Sequence, residues 1–468
     1  MASCTPFAWY YDGQDPKEVY PLLFSSILAF STGFIAFLST WKSSRRSELQ
    51  RKDGYLIVSG GWLVMSCFGC LPYYLSGAVP SITDAFFETL SGYSTTGATI
   101  LTDIEAMPKG LLFWRSLTQW IGGMGIIVLA VAILPILGIG GMKLFIAEAP
   151  GISADKLQPR IKETAKQLWY IYLGLTLLET LMLYLAGMSF YDAINHAMTT
   201  MATGGFSTRN ASVGAFESPL IRYIIVFFML CAGTNFTILY FLIARKFRRA
   251  FQNGEFLSYI SLVGIFCIIV GTSLYFTVDY SVQKSISSSV FQVVSIITTT
   301  GYITEDYLGW GSFLSTLFFF LLFTGASAGS TSGGLKIVRI LLLLKNTFIG
   351  LKKELHPSAI IPLRLNGKNI RNTSLYNVLA FVILYVIVFN LGTLVLSMMG
   401  LDLQTSLGAS LTCISNVGPG IGEVGPNANF AHLPWLAKWV LCFLMLVGRL
   451  ELFTVLILFT PYFWKRYF

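Results

Sequence analysis

The run Ser94-Thr95-Thr96-Gly97-Ala98 decides the fold, because similar runs recur along the chain at intervals of about a hundred residues. The other three are Met201-Ala202-Thr203-Gly204-Gly205, Thr298-Thr299-Thr300-Gly301-Tyr302 and Ser415-Asn416-Val417-Gly418-Pro419. Each run ends an apolar segment that is too short to cross a bilayer and that follows a longer apolar stretch. Aligned on Gly97, Gly204, Gly301 and Gly418, the runs predict four copies of one unit: a span, a half-helix, a glycine-containing loop and a second span.

The runs predict a cation filter inside a membrane. Surface loops with a Thr-Gly turn are the alternative, but four runs at the same place in a repeating hydropathy pattern favour re-entrant loops. Non-helical backbone at membrane depth is tolerated only where it is buried in protein or lines a water-filled cavity. Around one axis, carbonyl oxygens replace the hydration shell of a cation, and glycine permits the positive φ angles that this requires. None of the runs carries a charged side chain, which suits a monovalent ion.

The predicted filter takes three consecutive residues from each run: Thr95, Thr96, Gly97, Ala202, Thr203, Gly204, Thr299, Thr300, Gly301, Asn416, Val417 and Gly418. The half-helices that lead into it should begin at polar N-caps, because a side-chain oxygen there satisfies free backbone amides. The predicted cap residues are Ser81 with Asp84, Ser189 with Asp192, Asp402 with Thr405 and, in the third unit, Ser285, Ser287 and Ser288.

The composition agrees with a polytopic membrane protein. The chain is 54% hydrophobic and 12% charged, with a mean hydropathy of +0.67, whereas soluble domains carry about twice that share of charged residues. Nine full spans are predicted, at 20–41, 55–75, 111–137, 168–186, 221–244, 256–276, 312–344, 375–399 and 439–459. Polar residues before the first span lack a cleavable signal pattern, and we expect a preceding helix to be missing from this chain.

The net charge of +9 is distributed as in a membrane protein, not as in a nucleic-acid-binding protein. Basic residues cluster in alternate loops, within 42–52, 143–166, 245–249 and 345–371, and close the chain at Lys465 and Arg466. Since short cytoplasmic loops carry an excess of Lys and Arg, these loops and the C-terminus should be cytoplasmic and the N-terminus should lie outside. The intervening loops carry mostly acids, such as Asp103, Glu105, Glu305, Asp306 and Glu423.

A second feature interrupts the long apolar stretch of the third unit. It consists of Gly325, Ala326, Ser327, Ala328, Gly329, Ser330, Thr331, Ser332, Gly333 and Gly334, and so many small or polar residues should break a helix. A phosphate-cradling loop is one alternative, but the run lacks the Walker spacing and lies within a span. Tight helix packing by small residues is another. The favoured hypothesis is a flexible intramembrane loop below the filter that acts as a gate.

A third feature is Arg449 in the last span, because a charge at membrane depth marks function by default. Residues two apart on a helix do not face each other, so Arg449 should not pair with Glu451. It either faces the pore cavity as a cation that tunes ion occupancy, or forms a buried ion pair such as one with Glu88. Arg115 and Gln119 are expected to brace the first filter segment.

No catalytic constellation is found, since the three histidines lie far apart and no nucleophile has a plausible base. The chain is therefore predicted not to be an enzyme. The predicted division is an N-terminal lead-in with one extra transmembrane helix (1–54), followed by repeats at 55–142, 143–250, 251–355 and 356–468, the third of which contains the gating loop.

The motifs resemble the superfamily of bacterial Trk and Ktr, fungal Trk and plant HKT cation transporters, with the TrkH branch the most similar. The resemblance lies in DAFFETLSGYSTTGAT (84–99), NHAMTTMATGGFS (195–207), FQVVSIITTTGY (291–302), SNVGPG (415–420), GASAGSTSGGLKIVR (325–339) and GRLE (448–451). It covers the chain from about residue 20 to the end. One departure is the single helix before the first repeat, where such proteins usually have two.

The resemblance implies an all-α integral membrane protein with four membrane–pore-helix–membrane repeats around a pseudo-fourfold cation pore. It implies K⁺ at the filter backbone carbonyls, no covalent cofactor, and a place in the bacterial cytoplasmic membrane among lipids. A homodimer and a cytosolic ring of nucleotide-binding, RCK/TrkA-like subunits are implied as partners, and nucleic acid is not. The gate maps to 325–334 and the cavity arginine to Arg449. Symport coupled to protons or sodium is the alternative, with Glu88, His196 and Glu451 as weak relay candidates.

Overall fold

The protein is described here by a computed structural model that covers residues 1–11, 16–44, 51–125, 161–366, 368–370 and 372–465. Helices dominate these residues. Within the same ranges the strands are limited to two short pairs: β1 (Thr324–Gly325) runs parallel to β2 (Leu335–Lys336), and β3 (Arg364–Leu365) is antiparallel to β4 (Lys368–Asn369). The predicted all-α class is confirmed.

The α-helices of the described residues have the following bounds. They are α1 Thr5–Tyr11, α2 Pro16–Ser44, α3 Arg51–Gly69, α4 Leu71–Leu75, α5 Ile82–Tyr93, α6 Lys109–Gly123, α7 Ile161–Leu185, α8 Phe190–Met201, α9 Pro219–Gly233, α10 Phe236–Ile243, α11 Phe247–Phe251, α12 Gly254–Thr277, α13 Val282–Ile297, α14 Ser312–Leu321, α15 Ile337–Leu355, α16 Asn372–Met398, α17 Leu403–Ser415, α18 Trp435–Arg449, α19 Leu452–Leu456 and α20 Pro461–Trp464. Single 3₁₀ turns occur at Ala2–Cys4, Ser212–Ala215, Tyr307–Trp310, Gly422–Val424 and Ile457–Phe459.

Among the described residues, five helical stretches are long and apolar enough to cross a membrane. They are Val19–Trp41, Lys52–Leu75, Lys166–Leu185, Gly254–Thr277 and Asn372–Met398. Two bent helix pairs bring the number to as many as seven. Of the two other predicted spans, 111–137 extends into residues outside the described ranges, and 312–344 is divided by the glycine-rich loop between α14 and α15.

The spans predicted at 221–244 and 439–459 are not straight. The chain turns by 113° between α9 and α10 and by 117° between α18 and the helical turn that follows it. At the first bend the Asn235 side chain starts the new helix by accepting the amide of Thr237 at 2.8 Å. At the second bend Glu451 has a φ of +56°, which a continuous helix cannot contain. Apolar composition predicted these segments but carries no signal for either break.

The four short helices α5, α8, α13 and α17 lie at the centre, each packed against the long helix before it, namely α3, α7, α12 and α16. Neighbouring repeats interlock through the same helices: α8 packs on α6 and α13 packs on α9. The contact between α5 and α18 joins the first repeat to the last and closes the ring. One continuous apolar core surrounds these helices, and a small separate cluster lies near α15.

Candidate ion filter and gate

Each short central helix begins at a polar cap, as predicted. Ser81 accepts the amide of Asp84 at 3.3 Å, Ser189 that of Asp192 at 3.0 Å, and Asp402 that of Thr405 at 3.1 Å. The prediction for the third unit is wrong. Its cap is Ser281, which accepts the amide of Lys284 at 3.3 Å, so that α13 already includes Ser285, Ser287 and Ser288. A serine-rich run offers several possible caps, and the extended backbone of Ser281 selects the earliest.

The four helices end in one repeated backbone geometry. The first residue of each filter segment has left-handed φ: Thr95 (+53°), Thr203 (+52°), Thr299 (+55°) and Asn416 (+55°). The amide of the next residue reaches back five positions, from Thr96 to Ser91, Gly204 to Thr199, Thr300 to Ser295 and Val417 to Thr412, at 2.9–3.1 Å. Two residues after the left-handed position comes a glycine with positive φ: Gly97 (+81°), Gly205 (+74°), Gly301 (+79°) and Gly418 (+101°).

This geometry corrects the alignment of the second repeat by one residue. Gly205, not Gly204, is equivalent to Gly97, and Thr203 takes the position of Thr95. Sequence alone could not choose between two adjacent glycines. The left-handed φ of Thr203 decides, because it fixes where the helix ends and the filter segment begins.

The same glycines join the four segments into a ring. A Cβ atom at each one would collide with the carbonyl oxygen of the residue that precedes the equivalent glycine in the next repeat. The pairs are Gly97 with Gly204, Gly205 with Thr300, Gly301 with Val417, and Gly418 with Thr96. The last pair returns to the first repeat, so the order is cyclic. Only glycine allows both the positive φ and the close approach of the neighbouring backbone.

A buried ion pair braces the first and second segments from behind. Glu88 and Arg115 are 0% and 2% exposed, and Arg115 Nε lies 2.6 Å from a Glu88 carboxylate oxygen. Glu88 also accepts the amide of Ile100 at 2.9 Å, just beyond the first segment. Arg115 donates to the carbonyl of Ser207 at 2.9 Å and stacks on the Phe206 ring. The proposed pairing of Arg449 with Glu88 is therefore wrong, because Arg115 occupies that place.

Gln119 braces the second segment instead of the first. Its amide nitrogen donates to the Gly204 carbonyl at 2.6 Å, and its oxygen accepts the amide of Phe206 at 3.1 Å. The prediction named the correct side chain and the wrong partner. Gln119 belongs to the first repeat, but it lies at the junction with the second repeat and binds the second segment there.

The other junctions between repeats use different polar links. The Tyr302 hydroxyl is 2.5 Å from that of Thr199 and donates to the His196 carbonyl at 3.1 Å, joining the third repeat to the second. Tyr307 donates to Gly420 at 2.8 Å, joining the third to the fourth. Between the fourth and first repeats, Asn416 donates to the Thr96 hydroxyl at 2.9 Å, and the buried Lys438 contacts Asp84 at 2.6 Å.

His196 is a structural residue in this arrangement. It is fully buried, with Nδ1 2.8 Å from the Asp192 carbonyl and Nε2 2.9 Å from the Ser207 hydroxyl. Both ring nitrogens are therefore occupied by short contacts that position the outer part of the second filter segment.

The glycine-rich loop lies against the inner side of the ring. Its Gly333 amide donates to the Thr299 hydroxyl at 2.7 Å, and its Thr331 hydroxyl donates to the Met201 carbonyl at 3.1 Å. A Cβ atom at Gly333 would collide with the carbonyl of Ser415. The loop therefore touches the second, third and fourth repeats at the end of their central helices, where the sequence placed it.

Arg449 joins this loop to the first repeat. Its guanidinium donates to the Thr331 carbonyl at 2.7 Å and to the carbonyls of Gly122 and Gly123 at 2.5 and 2.8 Å. As predicted, it does not pair with Glu451, which contacts Arg339 at 2.5 Å. A cavity of about 210 Å³ lies here, and its lining includes the loop, Arg449, Lys336, Arg339 and Glu451.

A second cavity of about 210 Å³ opens on the opposite, outer side of the ring. Its lining includes all four positive-φ glycines, namely Gly97, Gly205, Gly301 and Gly418. Four segments from four repeats therefore converge on one opening, with the filter between an outer and an inner cavity. This is the geometry of a single pseudo-fourfold pore. A family model for TrkH cation transport proteins matches residues 25–466.

The chain belongs to the TrkH family. The Trk system potassium uptake protein TrkH of Salmonella typhimurium is 43% identical to it, over 94% of this chain and 92% of that protein. TrkG of Escherichia coli is 35% identical over 99% and 97%. The crystal structure of the potassium transporter TrkH from Vibrio parahaemolyticus superposes with a TM-score of 0.88, at 38% identity, over 99% of this chain and 95% of that one. The family is one of membrane transporters, not of enzymes.

Three residues of this TrkH-family site escaped the sequence analysis. Gly205 was hidden by its neighbour Gly204. Lys438, which is buried against Asp84, lies just before the predicted span at 439–459. Glu255, whose carboxylate reaches the loop, lies just before the predicted span at 256–276. In the last two cases the only available signal was a charge close to an apolar stretch, which does not identify a partner.

Proposed function

We propose that this chain is a bacterial potassium uptake protein that conducts K⁺ through the filter ring and closes the path with the loop at 325–334. The observation that carries the proposal is the convergence of Gly97, Gly205, Gly301 and Gly418 on one outer cavity. The named relatives are potassium uptake proteins, and the filter segments contain no charged side chain. Binding by backbone oxygens suits an ion that must enter and also leave.

Several finer assignments belong to the same proposal. K⁺ binds at backbone carbonyls of the filter, and Arg449 acts as a cation at the inner cavity. The protein lies in the cytoplasmic membrane as a homodimer, with its C-terminus and its basic loops facing the cytoplasm. A cytosolic ring of nucleotide-binding subunits regulates it. The division into repeats at 55–142, 143–250, 251–355 and 356–468 also remains part of the proposal.

Stoichiometric symport is the less favoured alternative. The three relay candidates are each engaged in structural contacts: Glu88 with Arg115, Glu451 with Arg339, and His196 with its two neighbours. Uptake driven by voltage alone, with proton and sodium gradients clamped to zero, is expected for a pore. Uptake that stopped under that clamp would favour the symporter.

The proposal is tested by radiolabelled rubidium uptake into proteoliposomes that contain this protein alone. Uptake should be blocked by excess potassium and spared by excess sodium. Equal competition by sodium would contradict the filter assignment. Deleting part of the loop at 325–334 should raise the flux without changing this competition, and an unchanged flux would indicate that the loop has only a packing role. A protein that takes up no rubidium even after that deletion would contradict the pore.

A further inference from the structure

Side chains from other parts of the fold bind the intramembrane loop at two separate places. Its second half, from Thr331 to Gly333, contacts the filter ring and Arg449. Its first half is held at Ala328, where both backbone polar groups are bound by side chains. The Ala328 amide donates to a Glu255 carboxylate oxygen at 2.6 Å, and its carbonyl accepts from the Asn235 side-chain amide at 2.6 Å. The backbone of one residue therefore receives a donor from the second repeat and an acceptor from the start of α12.

Asn235 is itself fixed in position. It lies at the bend between α9 and α10, where its side-chain oxygen accepts the amide of Thr237 at 2.8 Å. The loop closes over it, because the Gly329 carbonyl accepts the amide of Phe236 at 3.2 Å. Gly329 has a φ of +74°, and a Cβ atom there would lie 2.9 Å from the Asn235 amide nitrogen. The bend in the second repeat and the turn of the loop therefore fit each other directly.

Glu255 is held at the first turn of α12. It is 8% exposed, and Asn253 caps the helix by accepting the Glu255 amide at 3.0 Å. The amide of Gly254 donates to the Asn366 side chain at 2.7 Å, in the turn between β3 and β4. A carboxylate in this place needs donors to offset its lost hydration, and the Ala328 amide supplies one.

The Ala328 methyl group contributes a third contact. It packs against the small apolar cluster that is separate from the main core and contains Leu365 of β3, together with Val338, Leu342 and Val378. Leu365 and Asn366 belong to the same hairpin, in the connection that the basic residues assign to the cytoplasm. Ala328 is thus the point where the loop meets the bend in the second repeat, the start of α12 and the hairpin.

We propose that Asn235 and Glu255 are positioning residues that hold the loop closed through the backbone of Ala328. The inference rests on the proposed pore function and assigns part of its control to two side chains that do not belong to the lining of the outer or the inner cavity. Losing a hydrogen bond to a charged group changes an equilibrium constant by about tenfold or more. Losing the Glu255 contact should therefore raise the open fraction of the pore by about tenfold.

The test is rubidium uptake into proteoliposomes by the full chain carrying Glu255→Ala, Asn235→Asp or both. Asn235→Asp keeps the oxygen that caps α10 but replaces the donor to Ala328 with a carboxylate. Each single change should raise flux about tenfold, and the double change should add little, because both residues hold the loop at the same residue, Ala328. Glu255→Gln retains an acceptor oxygen and should give a smaller rise. Ser258→Ala is the matched control, since that hydroxyl bonds only within α12, to Gly254.

Sodium competition separates this role from a general loss of structure. It should stay at the wild-type level in every variant, because the filter contacts are untouched, whereas a damaged fold would lower flux or admit sodium. Folded variants with unchanged or reduced flux would overturn the inference. If the loop deletion raises flux and these variants do not, the anchoring role fails and the pore stands. If no variant, including the deletion, takes up rubidium, the pore fails and this inference fails with it.

Discussion

The filter ring and the intramembrane loop are neighbours, but they are stabilised in opposite ways. The ring repeats one backbone geometry four times, and its glycines leave no space between adjacent segments. The loop occurs once, and besides a few backbone contacts it is held by individual side-chain hydrogen bonds, at Ala328 and between Thr331 and Gly333. Repeated backbone contacts suit a structure that must keep its dimensions. A few separate side-chain contacts would suit a segment that moves, as the proposed gate does.

The largest expected effect comes from breaking the ion pair behind the ring. Arg115→Met would leave the Glu88 carboxylate buried without its cation, which should cost about 3–5 kcal/mol of stability. Arg209→Met is the control, because Arg209 is 38% exposed and its contact with Asp192 is screened by solvent, so its loss should cost at most about 1 kcal/mol. Thermal unfolding of the purified protein in detergent measures both. Equal losses of stability in the two variants would contradict the larger contribution expected of the buried ion pair.

The next effect tests the register of the second segment. Gly205→Ser and Gly97→Ser should both relax discrimination against sodium, because both positions combine positive φ with a carbonyl that a Cβ atom would displace. Gly204→Ser would instead meet the Gln119 side chain, which can shift. Sodium competition of rubidium uptake should therefore change more for Gly205→Ser than for Gly204→Ser. The reverse order would restore the original alignment on Gly204.

A smaller effect is expected from removing one hydroxyl between repeats. Tyr302→Phe deletes the contacts with Thr199 and His196 and should lower the free energy of unfolding by about 1 kcal/mol. The flux ratio of potassium to sodium should change less than in Gly205→Ser, because the backbone of the ring keeps its other contacts. A larger selectivity change than that of the glycine variant would mean that side-chain links, not backbone fit, set the dimensions of the ring.

The smallest effect concerns the outer surface, where Asp103 links the first two repeats. Hydrogen bonds from the Asn210 side chain and from the Ala106 amide lower the pKa of Asp103 below its usual range. A lowered carboxyl pKa stabilises the fold above the unfolded value and loses that contribution as the pH falls through the folded value. The Asp103→Asn variant should therefore unfold at a slightly lower temperature than the wild type near neutral pH, and the difference should begin to shrink as the pH falls below about 4. A difference independent of pH would contradict this.

Much of the fold could be predicted because each unit is specified by its own short stretch of sequence, and the four stretches resemble one another. The four units, three of the four helix caps and the place of the loop all follow from residues close together in the sequence. The rest depended on distant partners. Arg115 rather than Arg449 meets Glu88, and Glu255 reaches Ala328, only because the ring brings separate repeats together. The register at Gly204 and Gly205 depended on a backbone angle that composition does not encode.

The cyclic contacts of the filter glycines have a consequence for how such a pore can change. In a channel assembled from four identical chains, every substitution appears four times, and the smallest alteration affects all four sides. Here Gln119, Tyr302 and Asn416 each occur at one junction only. A single codon change therefore alters one quarter of the ring and leaves three quarters intact. Selectivity in this architecture is accessible to gradual adjustment, one side at a time, in a way that strict symmetry forbids.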